Sequence, residues 1–144
     1  MRTQKSEVNF EKITGSKEQI VALYNLLKKR IHVISHQKLP SFKDHKNFVL
    51  RNPYLDWFLV SKNSYPIGSF YIKRDNSLGL NLVIQDHATV IKIIDFINEN
   101  LRPVSELPSE VPPFFYINVP YSNTELQKIV TEAELIPIQV SYKL

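Results

Sequence analysis

Three β-rich runs lie back to back between Asp56 and Ile84, DWFLVSKNSYPIGSFYIKRDNSLGLNLVI, with short polar turns between them. Runs joined this tightly have room to pair only antiparallel, because a parallel return needs a crossover of about a dozen residues or more. They therefore form a meander. Trp57 to Val60 is apolar throughout, which predicts a strand covered on both faces. Ile67 to Lys73 is the second run, and its Gly68 marks a bulge or a close approach. Arg74-Asp75-Asn76-Ser77 is a turn, and Leu78 to Ile84 is the third run. A helix follows almost at once, from His87 to Asn100. A strand feeding a helix N-terminus is a natural seat for a phosphate. Here the junction is Gln85-Asp86-His87, with no glycine, lysine or arginine.

The flanking sequence fills in the order. Val8 to Ile13 reads as a short first strand. Ser16 and Gln19 form a capping box for a helix carrying Ile20, Leu23, Tyr24, Leu27 and Ile31 at helical spacing. Ser41 caps a second helix, with Asp44 in its first turn and Phe48 and Val49 facing inward. Asn52-Pro53 ends it, since a residue before proline avoids helical geometry. In the third helix Asp86 is the cap, and Val90, Ile94, Ile97 and Leu101 share a face. Arg102 to Pro113 is a loop holding four of the nine prolines. Phe114 to Val119 reads as a buried strand. Ser122 and Glu125 form a capping box for a fourth helix with Leu126, Ile129, Val130 and Ala133 inward. Ile138, Val140 and Tyr142 alternate in the last segment, so Ile136 to Leu144 is expected to close as a strand. The order is strand, two helices, three antiparallel strands, helix, strand, helix, strand, in a single domain spanning 1–144.

At 43% apolar and 11% aromatic, this chain has the means to fill one core. No apolar run approaches the roughly 20 residues of a membrane span, and the N-terminus lacks the apolar stretch of a secretory signal. With no cysteine, disulfides, thiolate catalysis and Cys-ligated zinc are excluded, and a reducing cytoplasm is the expected compartment. The net charge of +4, concentrated at Lys28-Lys29-Arg30 and Lys43 to Lys46, suits an anionic ligand or simply solvated helix faces. No nucleic-acid module pattern is present.

The element order resembles the GNAT superfamily of N-acetyltransferases over nearly the whole chain. The closest stretches are ISHQKLPSFKDHKNFVLRNPYLDWFLV with IGSFYIKRDNSLGLNL, and the terminal YINVPYSNTELQKIVTEAELIPIQVSYKL. They look like bacterial GNAT proteins found with sugar-nucleotide amine modification. The resemblance implies an α/β (α+β) fold with a central, mostly antiparallel mixed sheet of about six or seven strands and about four flanking helices. It also implies acetyl-CoA or another acyl-CoA bound where the fourth and fifth strands splay apart, with direct attack of an amine on the thioester. Two parts of that family's pattern differ here. LVIQDHATV replaces the glycine-rich pyrophosphate loop, and Asp86 would repel a diphosphate. Val130 stands where the family often places a proton-donating tyrosine, and Glu134-Leu135 replaces its Gly-Phe pair.

The candidate residues follow. Backbone groups of Leu82, Val83 and Ile84, the helix start at His87, and the amides of Asn118 and Asn123 are expected at the acyl-CoA site, Asn123 being equally a helix cap. Tyr121, with Tyr116 beside it in sequence, and His36 are the candidate proton-transfer groups. His45 and Trp57 are candidate acceptor contacts, with Tyr54 and Trp57 able to stack on a sugar or base and Asp56 able to orient an amine. His32, His36 and His45 have no partner carboxylate in sequence, so no metal is expected, and His36 and His45 otherwise read as partly exposed polar residues. The expected function is acyl transfer to a primary amine, such as that of an amino sugar nucleotide. The alternative is a GNAT-fold binding or regulatory module that does not use acetyl-CoA in the usual way, as a homodimer or beside a partner enzyme. No nucleic acid or membrane partner is expected.

Overall fold

The computed structural model describes residues 7–30, 38–105 and 111–144. Among them, five strands and four helices follow in the order β1 (Val8–Lys12), α1 (Lys17–Lys28), α2 (Phe42–Arg51), β2 (Asp56–Lys62), β3 (Tyr65–Ile72), β4 (Ser77–Leu82), α3 (His87–Asn100), β5 (Tyr116–Asn118) and α4 (Thr124–Glu132). The strands form one sheet in sequence order, β1-β2-β3-β4-β5. The first three pairings are antiparallel and β4 with β5 is parallel. This is the mixed, mostly antiparallel α/β architecture expected from the sequence.

Local chemistry sets the element ends. Ser16 and Gln19 form the reciprocal capping box of α1. The Gln19 carboxamide goes further: it accepts from the Thr14 and Gly15 amides at 2.8 and 3.1 Å and donates to the Lys12 carbonyl at 2.9 Å, tying the end of β1 to the start of α1. Ser41 caps α2, and Asn52 closes it in the left-handed region at φ 39°. Gly68 is a close approach, since a β-carbon there would stand 2.2 Å from the Asn81 carbonyl oxygen. The register of β2 on β3 shifts at the neighbouring Val60/Ser61.

The sheet divides the apolar interior in two. Phe58, Val60, Phe70, Ile72, Leu78 and Leu80 pack with Val90, Ile93 and Ile97 of α3 and Leu126 and Ile129 of α4. Phe10, Phe58, Phe70 and Phe96 form an aromatic cluster there, with Phe10 stacked on Phe96 at 4.3 Å. On the other face Trp57 and Leu59 pack with Ile13, Ile20, Leu23 and Val49 from the α1–α2 side.

Several expectations are corrected. Residues 136–144 form no strand: Ile136, Ile138, Val140 and Tyr142 are all exposed, and among the described residues no backbone hydrogen bond joins the segment to the sheet. The sheet therefore has five strands among the described residues. The expected strand at Phe114 to Val119 shortens to three residues, and Phe114 is exposed. The cap of α4 is Asn123, whose side chain accepts from the Leu126 amide at 3.1 Å, and not Ser122. On α3 the fully buried positions are Thr89, Val90, Ile93 and Ile97, with Ile94 and Leu101 at the margin.

Asn76 is more than a turn residue. It is fully buried at φ 68°. Its Nδ2 donates to the carbonyls of Val104 (3.2 Å) and Pro112 (2.7 Å), and its Oδ1 accepts from the Val104 amide (2.7 Å). Its own carbonyl accepts from the Tyr116 amide at 3.2 Å, starting the β5 pairing. Replacing Asn76 with Ala removes three hydrogen bonds to half-buried backbone groups and puts a residue less tolerant of positive φ at this position, so a loss of about 3 kcal/mol is expected. Asn76→Gly should lose about 1 kcal/mol less, since glycine tolerates that φ. Urea unfolding of both variants measures the difference, and equal stabilities would refute the conformational part of this account.

Candidate active site

The fourth and fifth strands part company halfway along. β5 pairs with β4 only at Ser77↔Tyr116, Leu78↔Ile117 and Gly79↔Asn118, while β4 continues to Leu82 beside β3. Successive backbone groups of a strand alternate between its two edges. The Val83 amide donates to Ile67 of β3 at 2.8 Å. The Leu80 amide closes the last parallel bridge, at Gly79↔Asn118, so the Leu80 carbonyl and the backbone groups of Leu82 face the side that β5 has already left. Of the three sequence-expected positions, Leu82 offers open edge groups, the Val83 amide is engaged, and Ile84 lies beyond the end of β4.

A cavity of about 590 Å³ opens on the α1–α2 face of the sheet and reaches this divergence. That volume lies within the usual range for ligand pockets. Leu23, Leu26 and Leu27 of α1 and Asp44, His45, Asn47, Phe48 and Arg51 of α2 form one wall. Tyr54, Trp57, Ser69, Tyr71 and Leu80 to Val83 form the floor. Gln85, Pro120, Asn123 and Glu125 close the far end.

The floor is aromatic by register. Tyr71 lies opposite Trp57 on β2 and opposite Gly79 on β4. Gly79 gives the Tyr71 ring its space: a β-carbon there would come within 2.0 Å of it. Tyr54 stacks on Tyr71 at 4.0 Å and meets Trp57 edge-on at 5.1 Å, and Phe48 meets Trp57 edge-on at 5.9 Å. Burial first, and then Tyr71, push the Tyr54 hydroxyl up to about 12, with Arg30 pulling weakly the other way. Tyr54 is thus a proton-bearing donor at neutral pH. The Trp57 indole N–H is buried without a hydrogen-bond acceptor among the described residues.

His45 is buried, contrary to the partly exposed position expected, because α1 and α2 close over it. Its Nε2 donates to the Ile20 carbonyl at 2.9 Å, which fixes the tautomer and pins α2 to α1. At the far end Gln85 and Asn123 exchange amide hydrogen bonds in both directions, at 3.1 and 2.7 Å, joining the β4–α3 junction to the start of α4. Asn123 also caps α4, the cap being one of the two roles expected for it.

The junction itself carries a cation that its linear sequence lacks. Lys62, at the end of β2, meets Asp86 at 2.9 Å. Asp86 Oδ1 also accepts from the Thr89 amide at 2.8 Å, capping α3. Burial works to raise the Asp86 carboxyl, but the bonds from Lys62 and Thr89 outweigh it and hold it below the ordinary carboxylate value.

The remaining candidates fall outside the cavity wall. Ile84 and Tyr121 are exposed, Tyr121 at 93%, and His87 is an exposed residue in the first turn of α3. Asn118 is half-buried at the last β5 pairing. Asp56 opens β2 opposite Ile72, and Tyr116 opens β5 opposite Ser77. His32 and His36 lie outside the described residues. Among the described residues no three His, Asp or Glu side chains gather as a metal site, and no helix is long and apolar enough to cross a membrane. Sequence reasoning missed Tyr71, Ser69, Gln85 and Glu125 as cavity residues. For Tyr71 a signal existed: a glycine in an otherwise bulky third run makes room for a large cross-strand neighbour.

No protein-family model matches the chain, and no curated protein matches it. Solved structures do. The N-acetyltransferase PseH of Campylobacter jejuni superposes with a TM-score of 0.61 at 14% identity, covering 93% of this chain and 91% of that one. Its complex with acetyl coenzyme A gives 0.62 at 15%, over 94% and 92%. Aminoglycoside N-acetyltransferase AAC(6')-Iy in complex with CoA gives 0.62 at 12% identity, over 100% of this chain and 97% of that one. Likeness over almost the full length of both partners establishes the fold: this is a GNAT-fold chain.

Two outcomes test the site's construction. Gly79→Ala should cost about 1–3 kcal/mol by overpacking, and much less in a Tyr71→Ala background; additive effects would contradict the contact. For Asp86, a depressed folded pKa means stability present above the ordinary value of 3.8 and lost as the pH falls through the lower folded value. Asp86→Ala should lose about 1 kcal/mol of capping. Asp86→Asn should keep the cap while flattening the acid-side fall in stability, read from urea midpoints across the acid range.

Proposed function

We propose that this chain transfers an acetyl group from acetyl-CoA, or an acyl group from a related acyl-CoA, to a primary amine. The observation that carries the reading is the parting of β4 from β5 at the end of an aromatic-floored cavity. The pantetheine arm of CoA is a narrow chain with two amides, suited to the open strand edge at the Leu80 carbonyl and Leu82. The GNAT fold supports the same reading.

In such a reaction the amine lone pair attacks the thioester carbonyl, a C–N bond forms, the C–S bond breaks, and the thiolate takes a proton. The protein's share is position and proton management. Asp44 and Glu125 are the carboxylates of the cavity wall, suited to drawing in an ammonium group and accepting its proton. Tyr54 and Tyr71 are the hydroxyl donors within the cavity. With Tyr121 outside the wall and Val130 at the family's tyrosine position, these two take the donor role in our reading. His45, its Nε2 already engaged with Ile20, serves as wall between α1 and α2.

The acceptor we assign is an amino sugar nucleotide. Lys29, Arg30 and Arg51 line the cavity together with Asp44 and Glu125, so cations for phosphate and carboxylates for an amine occur in one space. Tyr54, Trp57 and Tyr71 supply ring faces for a sugar or base.

The diphosphate of CoA meets a different environment. At the N-terminus of α3 the Asp86 carboxylate already holds the Thr89 amide and Lys62. A diphosphate seated there must compete with Asp86 for both. Removing one like charge from a helix N-terminus is worth about 0.3–1 kcal/mol, so Asp86→Asn should tighten acetyl-CoA binding about two- to fivefold. The decisive measurement is a calorimetric titration with acetyl-CoA, followed by thiol release in the presence of an amino sugar nucleotide. Saturable binding and acceptor-dependent thiol release are expected. No heat and no thermal stabilisation at millimolar acetyl-CoA would sink the reading.

A further inference from the structure

The cavity floor holds a polar pair that proton management leaves unused. Side chains along a strand alternate between its two faces, and Tyr71 and Gly79 meet on the cavity face. One step along that face stand Ser69 of β3 and Asn81 of β4, directly opposite each other in register. Both line the cavity. Ser69 is only 7% exposed, and Asn81 is half-buried.

β-carbons at such a position stand about 5 Å apart, near enough for their side chains to bond. They do not. Among the described residues neither the Ser69 hydroxyl nor the Asn81 carboxamide has a hydrogen-bond partner. Nor is the hydroxyl sealed off: among those residues the Trp57 indole is the one unpartnered polar group closed to solvent. The Ser69 hydroxyl therefore opens on space, and that space is the cavity. A strand interior favours β-branched and aromatic residues, and a buried polar group without a partner is costly. Two such groups side by side suit a third group held between them.

The chemistry of the pair selects a hydroxyl. Serine and asparagine each both donate and accept. A hydroxyl between them can donate to one and accept from the other. An ammonium has no lone pair to accept with, and an aliphatic chain leaves both unpaired. A pantetheine arm on the outer edge of β4 lies in the plane of the sheet. Ser69 is one strand further in, about 4.8 Å, and its side chain stands up from the sheet.

Resting on the reading of this cavity as the acceptor's, we propose that Ser69 and Asn81 determine which amines it takes. They hold a hydroxyl on the carbon next to the one bearing the amine, so the acceptor is an amino alcohol, the unit an amino sugar presents. Asn81 lies about 7 Å along β4 from Gly79, the last residue paired with β5. A hydroxyl gripped at Asn81 turns its neighbouring amine toward the point where the strands part.

Calorimetric binding of uridine diphosphate glucosamine and of its 3-deoxy analogue, which lacks only the hydroxyl beside the amine, tests this in the full chain and in Ser69→Ala and Asn81→Leu. The full chain should bind the hydroxylated acceptor at least about a hundredfold more tightly. Each substitution should weaken that acceptor about five- to tenfold and leave the deoxy analogue and acetyl-CoA unchanged. A substitution that only disturbs the fold weakens both acceptors together, and that result overturns the proposal. So does equal binding of the two acceptors by the full chain. Lost acetyl-CoA affinity in Asn81→Leu with no change toward the acceptors also overturns it, assigning the pair to the pantetheine arm. Discriminating binding without thiol release refutes acyl transfer and leaves the hydroxyl reading standing; thiol release without discrimination does the reverse.

Discussion

The buried carboxamide of Asn76 ties together the parts of the sheet that sequence order alone would not hold. β1 to β4 form a meander that tight turns place without outside help. β5 arrives differently, after α3 and a proline-rich loop, and must lie parallel to β4. Parallel pairing after a long connection carries a larger closure entropy than a hairpin. The Asn76 side chain grips Val104 before the loop and Pro112 after it, and its carbonyl receives the first amide of β5. One residue thus fixes where the parallel strand begins. Where β5 begins determines where it stops following β4, and so where the cavity floor opens.

Beyond that point the two faces of the sheet divide the work. The α3–α4 face is a continuous apolar and phenylalanine-rich core, with Thr89 and Asn123 buried at the helix starts. The α1–α2 face carries the cavity, and its packing is a compromise between filling and opening. Gly79 is smaller than the strand pattern asks for, and Tyr71 occupies the space it leaves. His45 is more polar than a helix–helix seam asks for, and the Ile20 carbonyl satisfies it. Departures from the best local choice gather on the face that carries the cavity.

The order of elements through α4, the helix caps at Ser16, Ser41 and Asp86, and the antiparallel meander were all legible in sequence, because each rests on residues close together in the chain. Ser122 and Asn123 compete for one cap, and neighbours of equal propensity cannot be separated by pattern. The last segment has the right alternation for a strand but no hydrogen bonds to the sheet among the described residues, and alternation reports the wish for a covered face without naming what covers it. In the candidate site, Trp57, His45, Leu82, Val83 and Asn123 were reachable from sequence and line the cavity. Gln85 was not, because its role depends on a contact 38 residues away, and Tyr71 was signalled only indirectly, by the glycine across the strands that makes room for it.

The same separation governs the phosphate question. Read along the chain, Gln85-Asp86-His87 is a helix start with an acid and no base. In three dimensions Lys62 reaches it from the end of β2, so the carboxylate and the ammonium neutralise each other at the α3 N-terminus. A glycine-rich loop attracts a diphosphate with bare amides. This junction holds a charge pair instead, in which the anion shields both the helix dipole and the cation. Both partners keep substantial solvent contact, at 24% and 39% exposure, so the pair contributes little to stability and is easily exchanged. An arriving diphosphate would bring more negative charge than one carboxylate and would compete for the same ammonium. In the proposed reaction the pair would set how strongly an anion is held beside Gln85, while the open edge of β4 would set where the rest of the ligand runs.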